Sequence, residues 1–263
     1  QHPKAESAKW LRDYVNKNAT QKLPQKIDPK QYHLSLSKSL YKNKDYGLAL
    51  IEIETAAKLS PDDQKVQEIL VGMYSLFLRL DKTEEAVSRL IESAKDNNRL
   101  KSRGYQEWGD IAILRGKIDK AKELYEKAKE LGDPQGVAKT TLAEFPESGT
   151  PINRLPLNPN ELFIDPANSL NRKGEIFAHF GMYQRALGIY SMILRMEPSN
   201  LPALLNMATV NYKSEKYNRT ISILERLLII HPRHENLLSH RLLLARAYVM
   251  KGDLGDGVKN VDI

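Results

Sequence analysis

The chain has 263 residues, of which 41% are hydrophobic and 28% are charged, a balance typical of a globular protein and not of a disordered one. No window reaches the roughly 18 to 20 apolar residues that span a bilayer, and residues 1–20 lack the apolar core of a signal peptide. The absence of cysteine excludes disulfides and thiol chemistry.

The net charge of +7 is an N-terminal property. Residues 1–44 contain ten Lys or Arg against three Asp or Glu, and the remainder balances thirty basic against thirty acidic residues. A basic arm of this kind favours contact with anionic surfaces, so we expect any lipid contact to involve residues 1–44.

The first segment, residues 1–29, contains an amphipathic stretch in which Trp10, Leu11, Tyr14 and Val15 share one face. One interpretation is a helix that covers the open end of a helical array, because terminal units of such arrays need caps. The alternative is a basic arm that lies on anionic lipid headgroups or follows a membrane anchor.

Residues 30–135 divide into three units of similar pattern, at 30–63, 67–100 and 102–135. Each unit predicts two helices whose apolar residues recur at helical spacing. The middle unit departs from the pattern, because Tyr74 stands where the other units have a small residue. We therefore expect altered helix packing there.

Residues 136–166 form a Pro-rich insertion or a degenerate unit, since five of the thirteen prolines lie there. A short helix from Val137 to Phe145 is expected, whereas the proline density argues against a second full helix.

Residues 167–234 read as two consecutive blocks of 34 residues, in which large, small and closing Pro positions recur. Gly174 and Ala186 are small where two helices would cross, and Pro198 cannot continue the helix before it. The small or closing positions across the chain are Gly109, Ala121, Gly174, Ala186, Pro198 and Pro232.

This spacing resembles the tetratricopeptide repeat (TPR), a helix-turn-helix unit of that length. The resemblance implies an all-α fold, a right-handed superhelical solenoid of about six such repeats with a Pro-rich interruption. Residues 167–263 would hold repeats four to six, with the sixth beginning at Leu238 after a three-residue shift and left incomplete. We expect the chain to be a piece of a longer protein, with its compartment open between membrane-anchored, periplasmic and cytoplasmic settings.

The resemblance also implies a ligand groove on the concave surface, formed by first-helix residues that point away from the second helix. A non-catalytic scaffold that binds a protein or peptide is therefore expected, as part of a larger assembly. Carried over place by place, the groove candidates are Lys38, Lys42, Arg79, Arg103, Gln106, Asp110, Asn171, Arg172, Glu175, His179, Asn206, Lys213 and Arg246.

Other functions have weaker support in the sequence. Six scattered histidines, no cysteine and no phosphate-binding or nucleophile motif argue against catalysis, a metal site or a cofactor. Only Asn206 matches the set of residues with which one branch of the family grips chaperone tails, so that ligand is not expected. An RNA-binding helical repeat is the weakest alternative, since Asp110 and Glu175 interrupt any basic track. Self-association through the repeats, or a membrane-surface spacer acting through the basic arm, are further alternatives.

Overall fold

The computed structural model describes residues 28–145, 165–232 and 237–259. These residues form helices and no strand, which confirms the all-α prediction. Residues 1–27 of the predicted N-terminal segment and most of the Pro-rich segment lie outside them. The division of the chain at 29, 135 and 166 stays a prediction.

The contacts divide the chain after Pro61 into two compact units. The first contains α1 (Pro29–Lys42) and α2 (Tyr46–Leu59), which pack on each other. The side chain of Asp28 accepts a hydrogen bond from the backbone N–H of Lys30 at 3.1 Å and so caps α1.

The second unit contains eleven helices in the described residues, arranged mainly as consecutive pairs. The pairs are α3 (Gln64–Leu76) with α4 (Leu80–Ser93), α5 (Asn98–Leu114) with α6 (Ile118–Glu130), α8 (Pro166–His179) with α9 (Tyr183–Met196), α10 (Leu201–Lys213) with α11 (Tyr217–Ile230), and α12 (Leu237–Lys251) with α13 (Leu254–Lys259). The short helix α7 (Val137–Ala143) packs on α6 and α9.

First helices begin with a polar cap, whereas second helices begin directly from a tight turn. Asp63, Asn97, Asp165 and Asn200 accept backbone N–H bonds at the starts of α3, α5, α8 and α10. These bonds satisfy donors that a helix start leaves open. At the starts of α4, α6, α9 and α11 no side-chain cap bond forms.

The turn within each pair has a left-handed residue at the same place. The φ angles are 65° at Lys44, 52° at Leu78, 71° at Gly116, 77° at Gly181, 59° at Glu215 and 99° at Gly252. Three of the six are glycine, which adopts this conformation without steric cost, and the others carry side chains there. This recurrence gives an internal register for all six pairs.

That register corrects the boundaries predicted for the repeat at 67–100. The turn after α3 is closed by Arg79 N–H to Tyr74 C=O at 2.9 Å, just as Met182 N–H bonds to Phe177 C=O at 2.9 Å. Tyr74 therefore occupies the aromatic place of Phe177, and Val71 occupies the small place. The boundaries at 67–100 were three residues too late.

Small residues let the paired helices approach closely. A Cβ on Gly109 would lie 3.0 Å from the ring of Tyr125, and one on Gly174 would lie 2.5 Å from the ring of Tyr190. The contact that Gly174 was expected to make with Ala186 is thus made with the tyrosine one turn later. Ala121 and Ala186 are fully buried, and Pro198 and Pro232 each follow a helix end by two residues.

Candidate functional site

Polar side chains connect the first helices of the second unit from α3 to α10. Arg103 of α5 pairs with Glu68 of α3. Ser75 of α3 donates a hydrogen bond to Glu107 of α5 at 2.9 Å. These polar contacts, together with those described next on α8 and α10, form one strip that we call the first-helix face.

The same strip continues from α8 to α10. On α8, Arg172 pairs with Glu175 at 3.1 Å. Asn206 of α10 donates from Nδ2 to Glu175 Oε1 at 3.4 Å. Further along α10, Thr209 and Lys213 are exposed.

Helix α8 reaches two earlier first helices. Its Ser169 hydroxyl donates to the carbonyl of Leu76, the last residue of α3. Lys173 Nζ lies 3.3 Å from Ser75 Oγ of α3 and 2.7 Å from Asp110 Oδ2 of α5. These contacts join segments that are more than 60 positions apart in the chain.

Asp110 is the centre of a buried charge cluster. Its side chain is 1% exposed, and its Oδ2 contacts both Lys173 at 2.7 Å and Arg185 of α9 at 2.5 Å. The phenol of Tyr125 donates to its other oxygen. Glu107 adds a second carboxylate 3.8 Å from Lys173. Two cations thus face two carboxylates, which is how a buried charge set avoids the cost of an unpaired ion.

Asp110 and Tyr125 keep fixed protonation states near neutral pH. Burial by itself would raise the pKa of Asp110, but the charges of Arg185 and Lys173 outweigh burial and lower its pKa from 3.8 to about 2. Burial, with the Asp110 charge added, raises the pKa of Tyr125 well above 10.0. A carboxylate that stays ionised and fully bonded is a poor general base, because catalysis needs a pKa near the working pH. The arrangement holds helices together.

Three predicted groove residues are buried instead of lining an open face. Asp110 bonds to Tyr125 of the second helix. Gln106 donates to Asp133 at 2.8 Å, also on the second-helix side. Asn171 donates to Asn200 at 3.2 Å, where α10 begins. These three side chains are therefore not available to a ligand on the first-helix face.

Arg79 is also displaced from its expected place. It lies beyond the end of α3, at the N-terminal boundary of α4, because the register of this pair differs by three residues from the expected one.

The remaining candidates lie on accessible first-helix surfaces. Lys38 and Lys42 are exposed on α1, in the separate first unit. The exposed or partly exposed candidates of the second unit are Arg103, Arg172, Glu175, His179, Asn206, Lys213 and Arg246.

Sequence reasoning missed Lys173 and Arg185 as partners of Asp110. All three adjoin a small residue at a helix crossing, namely Gly109, Gly174 or Ala186. Opposite charges beside the crossing positions of successive repeats are the signal that could have indicated the cluster.

Neither a cluster of metal-ligating side chains nor a membrane-spanning helix is found in the part of the chain that the structure describes. Within it, no group of three His, Cys, Asp or Glu side chains is placed to hold a metal ion. No helix among those residues is long and apolar enough to cross a membrane.

No family model and no curated protein matches this sequence. Solved structures of similar architecture include PilW, a widely conserved type IV pilus biogenesis factor, at 15% identity with a TM-score of 0.44 over 89% of this chain and 91% of that one. The pilF protein of Pseudomonas aeruginosa is 12% identical, with a TM-score of 0.43 over 89% of each chain. A thermophilic TPR protein of Thermus thermophilus is 17% identical, with a TM-score of 0.40 over 84% of this chain and 99% of that one.

These similarities concern the arrangement of helices. Independently of them, the inner turns of the chain's own helix pairs are 34 residues apart from Lys44 to Leu78 and from Gly181 to Glu215, each inner turn has a left-handed residue, and a polar cap precedes α1, α3, α5, α8 and α10. The chain therefore has the tetratricopeptide-repeat fold.

Proposed function

We propose that the chain is a non-catalytic scaffold that binds a peptide or protein segment along the first-helix face. The observation that carries this proposal is the contact between Asn206 Nδ2 and Glu175 Oε1 at 3.4 Å, which makes the exposed polar surfaces of α8 and α10 continuous. An extended polar surface of this kind offers hydrogen bonds to a peptide backbone and charges to its side chains.

Not all polar groups of this face are equally available to a ligand. Arg103 and Glu68 already neutralise each other, as do Arg172 and Glu175. Asn206 makes only a long hydrogen bond, and Lys213 is exposed at the end of α10. A ligand would therefore gain most from Asn206, Thr209 and Lys213, where no strong internal pair has to be broken.

A test selects peptides from a displayed random library against the wild-type chain. The selected peptides are then measured against Asn206→Ala/Lys213→Glu and against Lys122→Glu, a matched charge reversal on the exposed side of α6. We expect the double variant to lose about tenfold or more in affinity and the control to keep wild-type affinity. An equal loss of affinity in both variants would refute binding on the first-helix face. So would unchanged affinity in the double variant while its helical circular dichroism is unchanged.

The membrane-surface and self-association alternatives need a different measurement. On α1 the basic candidates Lys38 and Lys42 are exposed, which is compatible with contact to anionic headgroups. Binding to phosphatidylserine vesicles that disappears on deletion of residues 1–29 would support the arm and leave the repeats as a spacer. Concentration-dependent mass in light scattering would support self-association.

A further inference from the structure

The second unit concentrates its exposed large hydrophobic side chains at one end. Among the described residues after Pro61, Met192 of α9 is the only such side chain outside the stretch from Ile229 to Leu254. Exposed apolar groups gathered in one place indicate an interaction surface more strongly than scattered ones do.

The inner turns establish which positions of α12 correspond to those of α10. Glu215 N–H bonds to Tyr212 C=O at 3.0 Å, and Gly252 N–H bonds to Val249 C=O at 3.0 Å. The two pairs are therefore offset by 37 residues. The pair of α8 and α9 precedes the pair of α10 and α11 by 34 residues, because Gly181 N–H bonds in the same way to Ala178 C=O.

With this register, side-chain positions that are buried in α8 are exposed in α12. Ala167 of α8 is 1% exposed, whereas its equivalent on α12, Leu238, is 53% exposed. Asn171 is 5% exposed, and its equivalent Leu242 is 39% exposed. The corresponding residues of α10, Leu201 and Leu205, are partly buried.

The uncovered positions form a coherent surface. Val249 is 46% exposed on the same stripe of α12 as Leu238 and Leu242, since these residues fall within about 40° of one another around a helix of roughly 100° per residue. We call Leu238, Leu242 and Val249 the end face.

Two arginines flank this stripe. At the same helical spacing, Arg241 and Arg246 fall on opposite sides of it, and Leu237–Lys251 contains no Asp or Glu. Within the described residues, no carboxylate forms an ion pair with either arginine. Nearby Glu225 accepts a hydrogen bond from Tyr248 at 2.5 Å, and Asp253 pairs with Lys251 at 2.9 Å.

We propose that the end face is a docking site for an amphipathic α-helix whose apolar stripe is flanked by acidic residues. A helix is the occupant that fits, because equivalent positions in the inner pairs are covered by the next helix pair: Asn171 contacts Asn200 at the start of α10 at 3.2 Å. Acidic flanks complement Arg241 and Arg246.

A second copy of the chain is disfavoured as the occupant. Two end faces in contact would bring the arginines of one copy toward those of the other without an acidic partner on α12, and like charges across an interface are costly.

The test uses two fluorescent peptides of the same length with an identical leucine stripe. In one the flanking positions are Glu, and in the other they are Lys. The wild-type chain is titrated with each peptide, and its mass is followed by light scattering. We expect the Glu-flanked peptide to bind at least about tenfold more tightly than the Lys-flanked one.

Variants locate the site. Leu238→Ser/Leu242→Ser should weaken the Glu-flanked peptide about tenfold or more, and Arg246→Glu should reduce or reverse the preference between the peptides. Met192→Ser, which removes an equally exposed apolar side chain from α9, is the matched control and should have no effect. Asn206→Ala/Lys213→Glu should also leave this binding unchanged, so the end face and the first-helix face can fail separately.

Several outcomes would overturn the proposal. These are absence of binding, equal binding of both peptides, equal loss in the Met192→Ser control, or insensitivity to the end-face variants. A dimer that the leucine variants abolish would make a second copy the occupant. Binding to phosphatidylglycerol vesicles with no peptide binding would assign the surface to lipid.

Discussion

Gly174 lies directly against the phenol ring of Tyr190, so that a Cβ at this position would be 2.5 Å from the Cε1 atom of the tyrosine. The same relationship holds between Gly109 and Tyr125, 65 positions earlier. The absence of a side chain on the first helix therefore allows a tyrosine on the second helix to be buried at the crossing.

Gly174→Ala should destabilise the chain, because neither the ring of Tyr190 nor the helix backbone can move without losing contacts. The expected loss in the free energy of unfolding is about 1 to 3 kcal/mol. Gly188→Ala on α9 is the matched control, since a Cβ there meets nothing within 4 Å. It should stabilise by up to about 1 kcal/mol through helix propensity. Urea unfolding compares the two, and a shift of the same sign in both would contradict the crossing geometry.

Asp110→Asn should be strongly destabilising, because it leaves the buried Lys173 and the partly buried Arg185 without their shared carboxylate. Breaking a buried ion pair on one side costs about 3 to 5 kcal/mol. Glu123→Gln removes an exposed partner of Lys120, 3.4 Å away, and should change stability by less than about 1 kcal/mol. Equal effects of the two substitutions in urea unfolding would mean that the cluster does not hold α8 and α9 in place.

The pH dependence of unfolding should report the same carboxylate. Because the folded-state pKa of Asp110 is about 2 and the ordinary value is 3.8, ionised Asp110 stabilises the fold above about pH 4. That contribution, about 2 kcal/mol, should be lost as the pH falls from 4 toward 2. The stability difference between wild type and Asp110→Asn should therefore shrink over this interval. A difference that stays constant from pH 6 to pH 2 would refute the lowered pKa.

At the left-handed turn positions, replacing glycine should lower the stability of the fold and introducing glycine should raise it. Gly181 has a φ of 77° and Glu215 one of 59° at equivalent positions. Gly181→Ala should cost about 1 to 2 kcal/mol, the penalty of a side chain in this region. Glu215→Gly should remove that penalty. It should also cost about 0.5 to 1 kcal/mol, because glycine gives the unfolded chain more conformational freedom. Thermal unfolding in which Gly181→Ala is neutral would contradict the turn conformation.

Much of the architecture could be predicted from local spacing, because each helix pair is specified by residues within 34 positions of one another. The register of the pair at α3 and α4 could not, since Tyr74 fits two places in the pattern. The left-handed φ of Leu78 and the backbone bond from Arg79 to Tyr74 distinguish them.

The burial of Asp110 could not be predicted from the pattern of its own repeat. Its position predicts exposure on an isolated first helix, and Glu175, at the same place one pair later, is indeed exposed. Asp110 is buried because Lys173 and Arg185, which follow the segment at 146–164, return to cover it. A contact made across that distance is not visible within one repeat, and its only trace in the sequence is that all three charged residues adjoin a small crossing residue.

The reach of α8 back to α3 changes how unfolding should proceed. In an array where each repeat contacts only its neighbours, end repeats can open one at a time, and stability is a sum of nearest-neighbour terms. Here Ser169 and Lys173 connect α8 to α3, skipping over the pair between them. Opening of any of these three pairs breaks contacts of another, so backbone amides from α3 to α9 should exchange with solvent as one cooperative block.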